Sequence, residues 1–419
     1  MLQANTFRFI TLLVSVCIAS STLMGAPKKK ASSTKRTAKT SASRSGKSSK
    51  KKALSAKQTA HSKRLAAAMV PATHNSARHS SRIRLRKFYN PWTEPDFANS
   101  TERDFIDGED LTVRRAAVEA LGPFNGSVVA VDPNTGRILT MVNQPLALKS
   151  GFQPCSTIKI VAALAGLSEG AIERNTVVHF TRRFSLSLTQ AIAKSNNPFF
   201  ARIGVALGFN RVSEYAKRFG LGEKAGYNIQ GEQPGTLPDD IPSGGMGMMT
   251  SFGEGISLTP LQLAGLMSAI ANNGTLYYLQ YPRSQKEASE FVPRVKRRLD
   301  IAKYIPDIKP GMMGAVEYGT ARRANYDPNE PILGKTGTCT DSKSPTHLGW
   351  FGSFNDVGKN KVVVVVLLVG GRAVNGPVAS GVAGQVYRNL SKVNYFQQDR
   401  PSNPVALVST GNCCTAGTN

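Results

Sequence analysis

The hydrophobic pattern divides the chain into an apolar start, a long polar stretch and a globular part. Residues 1–26 carry the apolar run "FITLLVSVCIASSTLM", and residues 27–88 are Lys, Ser, Ala and Thr with few large apolar side chains. From about Leu121 the chain alternates short apolar runs with turn residues. That alternation predicts strands and helices around a packed core.

Three elements are predicted in the first part of the globular region. "GSVVAVDPNTGRILTMV" consists of two β-rich runs around the turn residues 132–136 and predicts a β-hairpin. Residues 156–170 have helical apolar spacing and end at a glycine. Thr259 and Pro260 are typical of an N-cap and a first helical position, and this helix should end before Gly274.

The last third of the chain predicts two adjacent strands and a closing helix. "HLGWFGSF" and "KVVVVVLLVG" should pair antiparallel, and the second, apolar on both faces, should be central and covered. A helix is predicted over 380–390. The fold class is therefore α/β (α+β), an antiparallel sheet flanked by helices. We place the domain at 120–398, a junction at 89–119 and a disordered tail at 399–419.

The charge is concentrated before the globular part. The formal net charge is +26, and 20 of the 53 Lys and Arg residues lie in residues 1–88, with Glu94 as the first acid. Residues 27–88 cannot bury enough surface to offset their ordering entropy, so a disordered basic linker is predicted. It either is only solvated or attracts an anionic membrane or wall polymer. Nucleic acid is not an expected partner, because no stacking aromatics accompany the charges.

Residues 1–26 have the layout of a secretory signal. Arg8 precedes the apolar run, and small residues follow at Gly25 and Ala26. An uncleaved membrane anchor is the alternative, although the run is short beside the roughly 20 residues of a spanning helix. Both interpretations place the rest of the chain in the cell envelope, outside the cytoplasmic membrane.

The chemistry begins with a Ser-x-x-Lys spacing that is uninformative alone. Ser156 and Lys159 show it, but so do three pairs in the linker. Ser156 differs in its context, because it follows a predicted hairpin and begins a predicted helix. Side chains three apart share a helix face, so Lys159 should reach the hydroxyl. A desolvated lysine loses affinity for its proton and acts as a base.

Two further motifs follow in order. "KSNNPFF" supplies Ser195 and Asn197, and "LGKTGTCTD" supplies Lys335, Thr336, Gly337 and Thr338. Ser-x-x-Lys, Ser-x-Asn and Lys-Thr-Gly together are the signature of penicillin-binding proteins and class A β-lactamases. Residues 120–395 also resemble the penicillin-binding transpeptidase domain in "VAVDPNTGRILTMV", "GISLTPLQLAGLMSAIANNGTL", "YGTARRA" and "KRFGLGEKAGYNIQGEQPG".

This resemblance implies a serine D,D-transpeptidase that crosslinks peptidoglycan stem peptides through an acyl-serine intermediate. Ser156 would attack the D-Ala-D-Ala carbonyl or a β-lactam ring, with Lys159 as the base. Ser195 would relay the proton while Lys335 polarises its hydroxyl. Asn197 would bind the substrate backbone. The remaining implied roles are carboxylate binding by Thr336 and Thr338 and an oxyanion hole from the N–H groups of Ser156 and Thr338. The partners would be stem peptides and β-lactam antibiotics as covalent inhibitors.

Three features depart from the family pattern. Ser156 and Ser195 are only 39 residues apart, which would shorten the acceptor side of the site. Glu254 stands where the family often has a neutral residue. The linker stands where a glycosyltransferase domain would, so we expect the chain to lack one.

Cys155 and Cys339 flank the motifs. Some carbapenem-hydrolysing class A β-lactamases carry cysteines at the same offsets, joined by a disulfide, and export permits a bridge here. Two small buried thiols are the alternative.

Several functions remain open on the same residues. A D,D-carboxypeptidase passes the acyl group to water, and a serine β-lactamase is favoured by the cysteine pair. Against the latter, no Glu-x-x-x-Asn follows Asn197 at the class A position. A non-catalytic β-lactam sensor or wall-binding module would not need an intact motif set. No cofactor or metal is expected, because no cluster of residues has metal-ligand spacing.

Overall fold

The computed structural model describes residues 91–325 and 327–398. The predictions for residues 1–26, 27–88 and 399–419 concern parts of the chain outside these residues. The elements are α1 (Leu111–Leu121), β1 (Gly126–Val131), β2 (Ile138–Val142), α2 (Gln144–Ala147), α3 (Lys159–Ser168), β3 (Val177–Thr181), β4 (Phe184–Ser187), α4 (Leu188–Ala193), α5 (Asn197–Arg218), α6 (Gly245–Phe252), α7 (Pro260–Ala271), β5 (Thr275–Tyr277), α8 (Gln285–Ser289), β6 (Val295–Arg298), α9 (Ile305–Glu317), β7 (Ile332–Thr340), β8 (His347–Asn355), β9 (Val363–Gly370) and α10 (Gly376–Lys392).

A five-stranded antiparallel sheet in the order β2-β1-β9-β8-β7 organises the described residues. The predicted hairpin is confirmed as β1 and β2, and the predicted central strand is confirmed as β9. Every residue of β9 is buried, because both faces of the sheet are covered by helices. β7 is one of the two edge strands, and it lies next to the segment that carries Ser156.

Two hydrophobic layers sandwich the sheet. On one face, alternate residues of β9 such as Val364 and Val366 pack with α1 and α10. On the other face, Val363 and Val365 join the larger cluster formed by α3, α5 and α7. This alternation follows from the two-residue period of a strand. Helix and antiparallel sheet are thus mixed as the pattern predicts.

The helix ends follow their capping residues. Thr259 caps α7 and Pro260 lies in its first turn, as the sequence predicts, and the structure adds a reciprocal capping box between Thr259 and Gln262. α10 begins at Gly376, earlier than the predicted 380, because the Asn375 side chain accepts a hydrogen bond from Val378 N and starts the helix there. Helix α1, whose N-cap is Asp110, begins in the predicted junction 89–119 and runs on to Leu121.

Candidate active site

The sequence predicts that Ser156 begins an α-helix. Ser156 lies instead in a single 3₁₀ turn, Cys155–Ile158. Cys155 has φ +50°, a left-handed conformation, and the regular helix α3 begins only at Lys159. The turn places the Ser156 side chain, partly exposed, directly above the first turn of α3. Ser156 and Lys159 therefore approach each other across one helical turn.

Lys159 is completely buried and makes three hydrogen bonds. Its Nζ donates to Ser156 Oγ at 2.7 Å, to Asn197 Oδ1 at 2.8 Å and to the carbonyl oxygen of Ser251 at 2.5 Å. The rings of Phe200 and Phe252 lie 5.8 and 5.6 Å from the same nitrogen. The amine is thus held between polar acceptors in otherwise apolar surroundings, with the serine hydroxyl in direct contact.

The segment between α4 and α5 supplies the second pair of predicted residues. Ser195 has φ +55°, and Asn196 caps α5 by accepting a hydrogen bond from Phe199 N. The cap fixes Asn197 as the first residue of α5, where its side chain accepts from Lys159. Ser195 and Asn197 consequently face the same site from one short turn.

Strand β7 supplies the third group. Lys335 is completely buried, and its Nζ donates to Ser195 Oγ at 2.8 Å and to the Thr336 carbonyl at 2.9 Å. Gly337 passes so close to the serine turn that an added Cβ would lie 2.9 Å from the Pro154 carbonyl oxygen. A glycine is needed at this position because a larger residue would push β7 away from Ser156. The Thr338 hydroxyl accepts from Gly376 N at 2.7 Å.

Burial controls the charges of both lysines. Loss of solvation lowers the pKa of Lys159 to about 6, and repulsion by the Lys335 ammonium adds to the effect. Burial also lowers the pKa of Lys335 to about 7. An amine that is neutral near physiological pH and touches a serine hydroxyl can accept its proton. The structure thus brings all eight predicted catalytic and substrate-binding residues to one site. Four of them form two Lys–Ser pairs, Lys159 with Ser156 and Lys335 with Ser195.

A disulfide joins the two sides of this site. Cys155 and Cys339 are bonded, with Cα atoms 5.6 Å apart and a sequence separation of 184. Cys155 immediately precedes Ser156, and Cys339 follows Thr338. The bridge therefore ties the serine turn to β7.

Sequence reasoning missed two participants. The Ser251 carbonyl at the end of α6 accepts from Lys159, and the Thr320 hydroxyl lies 2.6 Å from that of Thr336. A carbonyl carries no sequence signal. Thr320 belongs to "YGTARRA", a stretch that resembles the family but suggests no contact.

The departures noted in the sequence have defined places. Glu254 accepts hydrogen bonds from Ser243 Oγ and Gly244 N through one carboxylate oxygen. The short interval between Ser156 and Ser195 holds α3, the β3–β4 hairpin and α4. Within residues 91–325 and 327–398, no His, Cys, Asp and Glu side chains are grouped as they would be to hold a metal ion. The same residues contain no helix whose length and apolar character would let it cross a membrane.

Comparison with known proteins shows which family this chain resembles. Residues 126–392 match the model of the penicillin binding protein transpeptidase domain. Stage V sporulation protein D of Bacillus subtilis is 26% identical over 314 residues, covering 62% of this chain and 48% of the relative. The peptidoglycan D,D-transpeptidase FtsI of Escherichia coli is 25% identical over 313 residues, covering 64% of this chain and 52% of FtsI. The chain thus spans about half the length of these curated relatives.

Solved structures share the fold. The crystal structure of Pseudomonas aeruginosa PBP2 in complex with WCK 5153 superimposes with a TM-score of 0.57 at 23% identity, over 72% of this chain and 80% of that one. The D,D-transpeptidase domain of a peptidoglycan glycosyltransferase from Eggerthella lenta gives a TM-score of 0.53 at 21% identity, over 68% of this chain and 81% of that one. With the family model covering well over half of its length, the chain belongs to the penicillin-binding protein transpeptidase family.

Proposed function

We propose that this protein is a serine D,D-transpeptidase that crosslinks peptidoglycan stem peptides through an acyl-serine intermediate. One observation carries the proposal: two buried lysines each contact a serine hydroxyl in the same site, Lys159 with Ser156 and Lys335 with Ser195. The relatives named as peptidoglycan D,D-transpeptidases support it.

In the first half-reaction, neutral Lys159 accepts the proton of Ser156 as Oγ attacks the carbonyl carbon of the terminal D-Ala-D-Ala bond. Negative charge develops on the carbonyl oxygen, and the N–H groups of Ser156 and Thr338 are the proposed donors to it. Collapse breaks the C–N bond. The departing D-Ala nitrogen takes a proton from Ser195 Oγ, whose hydroxyl Lys335 polarises. The proton that Lys159 took from Ser156 replaces it, which leaves Lys159 neutral and the acyl group on Ser156.

In the second half-reaction, the amine of another stem peptide attacks the acyl-serine. That amine gives up a proton, the C–O bond to Ser156 breaks, and Ser156 Oγ regains its proton. The Asn197 amide binds the donor backbone, and Thr336 and Thr338 bind its terminal carboxylate. Attack by water instead of an amine would make the enzyme a D,D-carboxypeptidase.

A serine β-lactamase is the second candidate, favoured by the Cys155–Cys339 disulfide beside the nucleophile. A β-lactamase must deacylate rapidly, and the chain has no Glu-x-x-x-Asn after Asn197 at the class A position. Slow deacylation is therefore expected, which would make the protein a target of penicillins. We also propose that it acts in the cell envelope, on the basis of the sequence of residues 1–26, and that the basic residues 27–88 contact an anionic membrane or wall polymer.

Intact mass spectrometry with benzylpenicillin, followed over hours, tests these proposals. A lasting one-to-one adduct on Ser156, absent in Ser156→Ala, is the expected result. Loss of the drug without a lasting adduct would indicate a β-lactamase. Neither adduct nor hydrolysis, or labelling that survives in Ser156→Ala, would refute the assignment. Turnover of a stem peptide with and without an acceptor amine then separates transpeptidation from carboxypeptidase activity.

A further inference from the structure

Thr320 lies in the connection between α9 and β7 and contacts the predicted carboxylate-binding strand. Its Oγ1 is 2.6 Å from Thr336 Oγ1, a short contact between two hydroxyls 16 residues apart. Thr320 is partly exposed, whereas Thr336 is 4% exposed and adjoins the buried Lys335. The Thr336 backbone carbonyl accepts from Lys335 Nζ at 2.9 Å, so the hydroxyl pair belongs to the residue that the buried lysine contacts.

The backbone fixes Thr320 in this position. Thr320 N donates to the Ala193 carbonyl at 3.1 Å, at the end of α4 and two residues before Ser195. At Gly319 an added Cβ would lie 2.1 Å from the same carbonyl oxygen, so this turn is seated directly against α4. The connection thus contacts the Ser195 segment through its backbone and β7 through its side chain.

The proton arrangement of the two hydroxyls decides what Thr336 can bind. Each hydroxyl has one proton to donate. If Thr320 donates to Thr336, the Thr336 proton is free to point at an anion. If Thr336 donates to Thr320, it has no proton left for a ligand. A carboxylate that accepts from Thr336 selects the first arrangement, because hydrogen bonds to a charged acceptor are roughly twice as strong as neutral ones.

We propose that Thr320 is a positioning residue that holds the Thr336 hydroxyl as a donor toward the terminal carboxylate of the donor peptide or of a β-lactam. This inference rests on the proposed function. It assigns Thr320 an effect only through Thr336, so the two side chains must be energetically coupled. Thr320 needs its hydroxyl for this role and not its methyl group.

A double-mutant cycle on the acylation of Ser156 by benzylpenicillin tests the inference. Thr320→Val keeps the shape and removes the hydroxyl, and we expect acylation about 10-fold slower. Thr320→Ser keeps the hydroxyl and should remain within about 2-fold of wild type. In Thr336→Val the hydroxyl that Thr320 orients is gone, so adding Thr320→Val should cause little further loss.

Three results would overturn the proposal. One is a double variant whose loss of acylation rate equals the product of the two single losses, since Thr320 would then act independently of Thr336. Another is a serine variant as slow as the valine variant, since the methyl group would then matter. The third is an unchanged rate in Thr320→Val. Failure of the proposed function looks different, because wild-type protein itself would form no adduct. Thermal unfolding of each variant verifies that the domain is folded, and Thr320→Ser preserves the test if the valine variant is not.

Discussion

Breaking the Cys155–Cys339 disulfide should lower the free energy of unfolding of this domain by about 2–5 kcal/mol. The perturbation is either reduction by a dithiol or the double replacement Cys155→Ala and Cys339→Ala. Alanine is preferred to serine because Cys155 is fully buried, where a hydroxyl would need a hydrogen-bond partner.

The magnitude follows from the length of chain that the bridge closes. The two cysteines are 184 residues apart, so the loss of loop-closure entropy in the unfolded chain gives about 5 kcal/mol as an upper value. A domain is stable by only about 5–15 kcal/mol in total. The bridge can therefore supply a large share of the stability of this fold.

Urea unfolding of residues 89–419, with and without reductant, measures the change in the free energy of unfolding. The double alanine variant is the control, because reductant should not change its stability. Acylation by benzylpenicillin measures the effect on chemistry. The bridge adjoins both proposed oxyanion donors, Ser156 N and Thr338 N. Loss of one such donor typically costs about 10²- to 10³-fold in rate, so loosening the pair should cost less, about 10-fold.

Alkylation in denaturant without reductant shows whether the bridge is present. Peptides containing Cys155 and Cys339 should stay unlabelled until a reductant is added. The entropic reasoning would be refuted by unfolding free energies that agree within about 0.5 kcal/mol before and after a reduction that demonstrably frees both thiols.

Three other predictions follow from the site and its packing. The acylation rate should show a bell-shaped pH profile. It should rise through about pH 6 as Lys159 loses its proton and fall above about pH 7 as Lys335 loses its proton. A rate still rising at pH 9 would contradict this assignment. Lys335→Met should slow acylation by about 10²- to 10⁴-fold, measured by intact mass, while an unchanged rate would exclude a role in proton transfer. Gly319→Ala should lower the melting temperature and the acylation rate, because its Cβ would lie 2.1 Å from the Ala193 carbonyl oxygen. The control Gly381→Ala, in α10 with its nearest atom at 3.5 Å, should be neutral or stabilising. Equal effects of the two substitutions would refute the steric argument.

Elements with strong local signals were predictable from the sequence. The hairpin of β1 and β2 has turn residues between β-rich runs. α7 begins with an N-cap threonine followed by proline, and β9 is apolar on both faces, as a covered central strand is. The start of α10 is harder to predict. Asn375 and Pro377 suit an N-cap and a first helical turn, but Gly376 between them is more typical of a loop. α1 is similar, since its buried face includes the charged Arg114 and two small alanines.

The candidate site divides in the same way. Motif order predicted which residues meet, because those side chains belong to known chemistry. Two features had no local signal. Ser156 lies in a 3₁₀ turn that begins at the left-handed Cys155. Thr320 contacts Thr336 from the α9–β7 connection, whose backbone is seated against α4. Such contacts depend on tertiary packing, which spacing along the chain does not encode.

The two buried lysines divide the labour of the proposed mechanism through their charges. Both lysines are buried, so the state in which both amines carry a charge is disfavoured. Because the pKa of Lys159 is the lower of the two, Lys159 releases its proton first as the pH rises. Between about pH 6 and 7 the favoured state is a neutral Lys159 against Ser156 and a charged Lys335 against Ser195. That state pairs a base with the nucleophile and a cation with both the proton relay and the carboxylate-binding threonines. Repulsion between the lysines thus makes a charged Lys335 help to keep Lys159 neutral, so removing the Lys335 charge should raise the pKa of Lys159 and shift the rising limb of the pH profile upward.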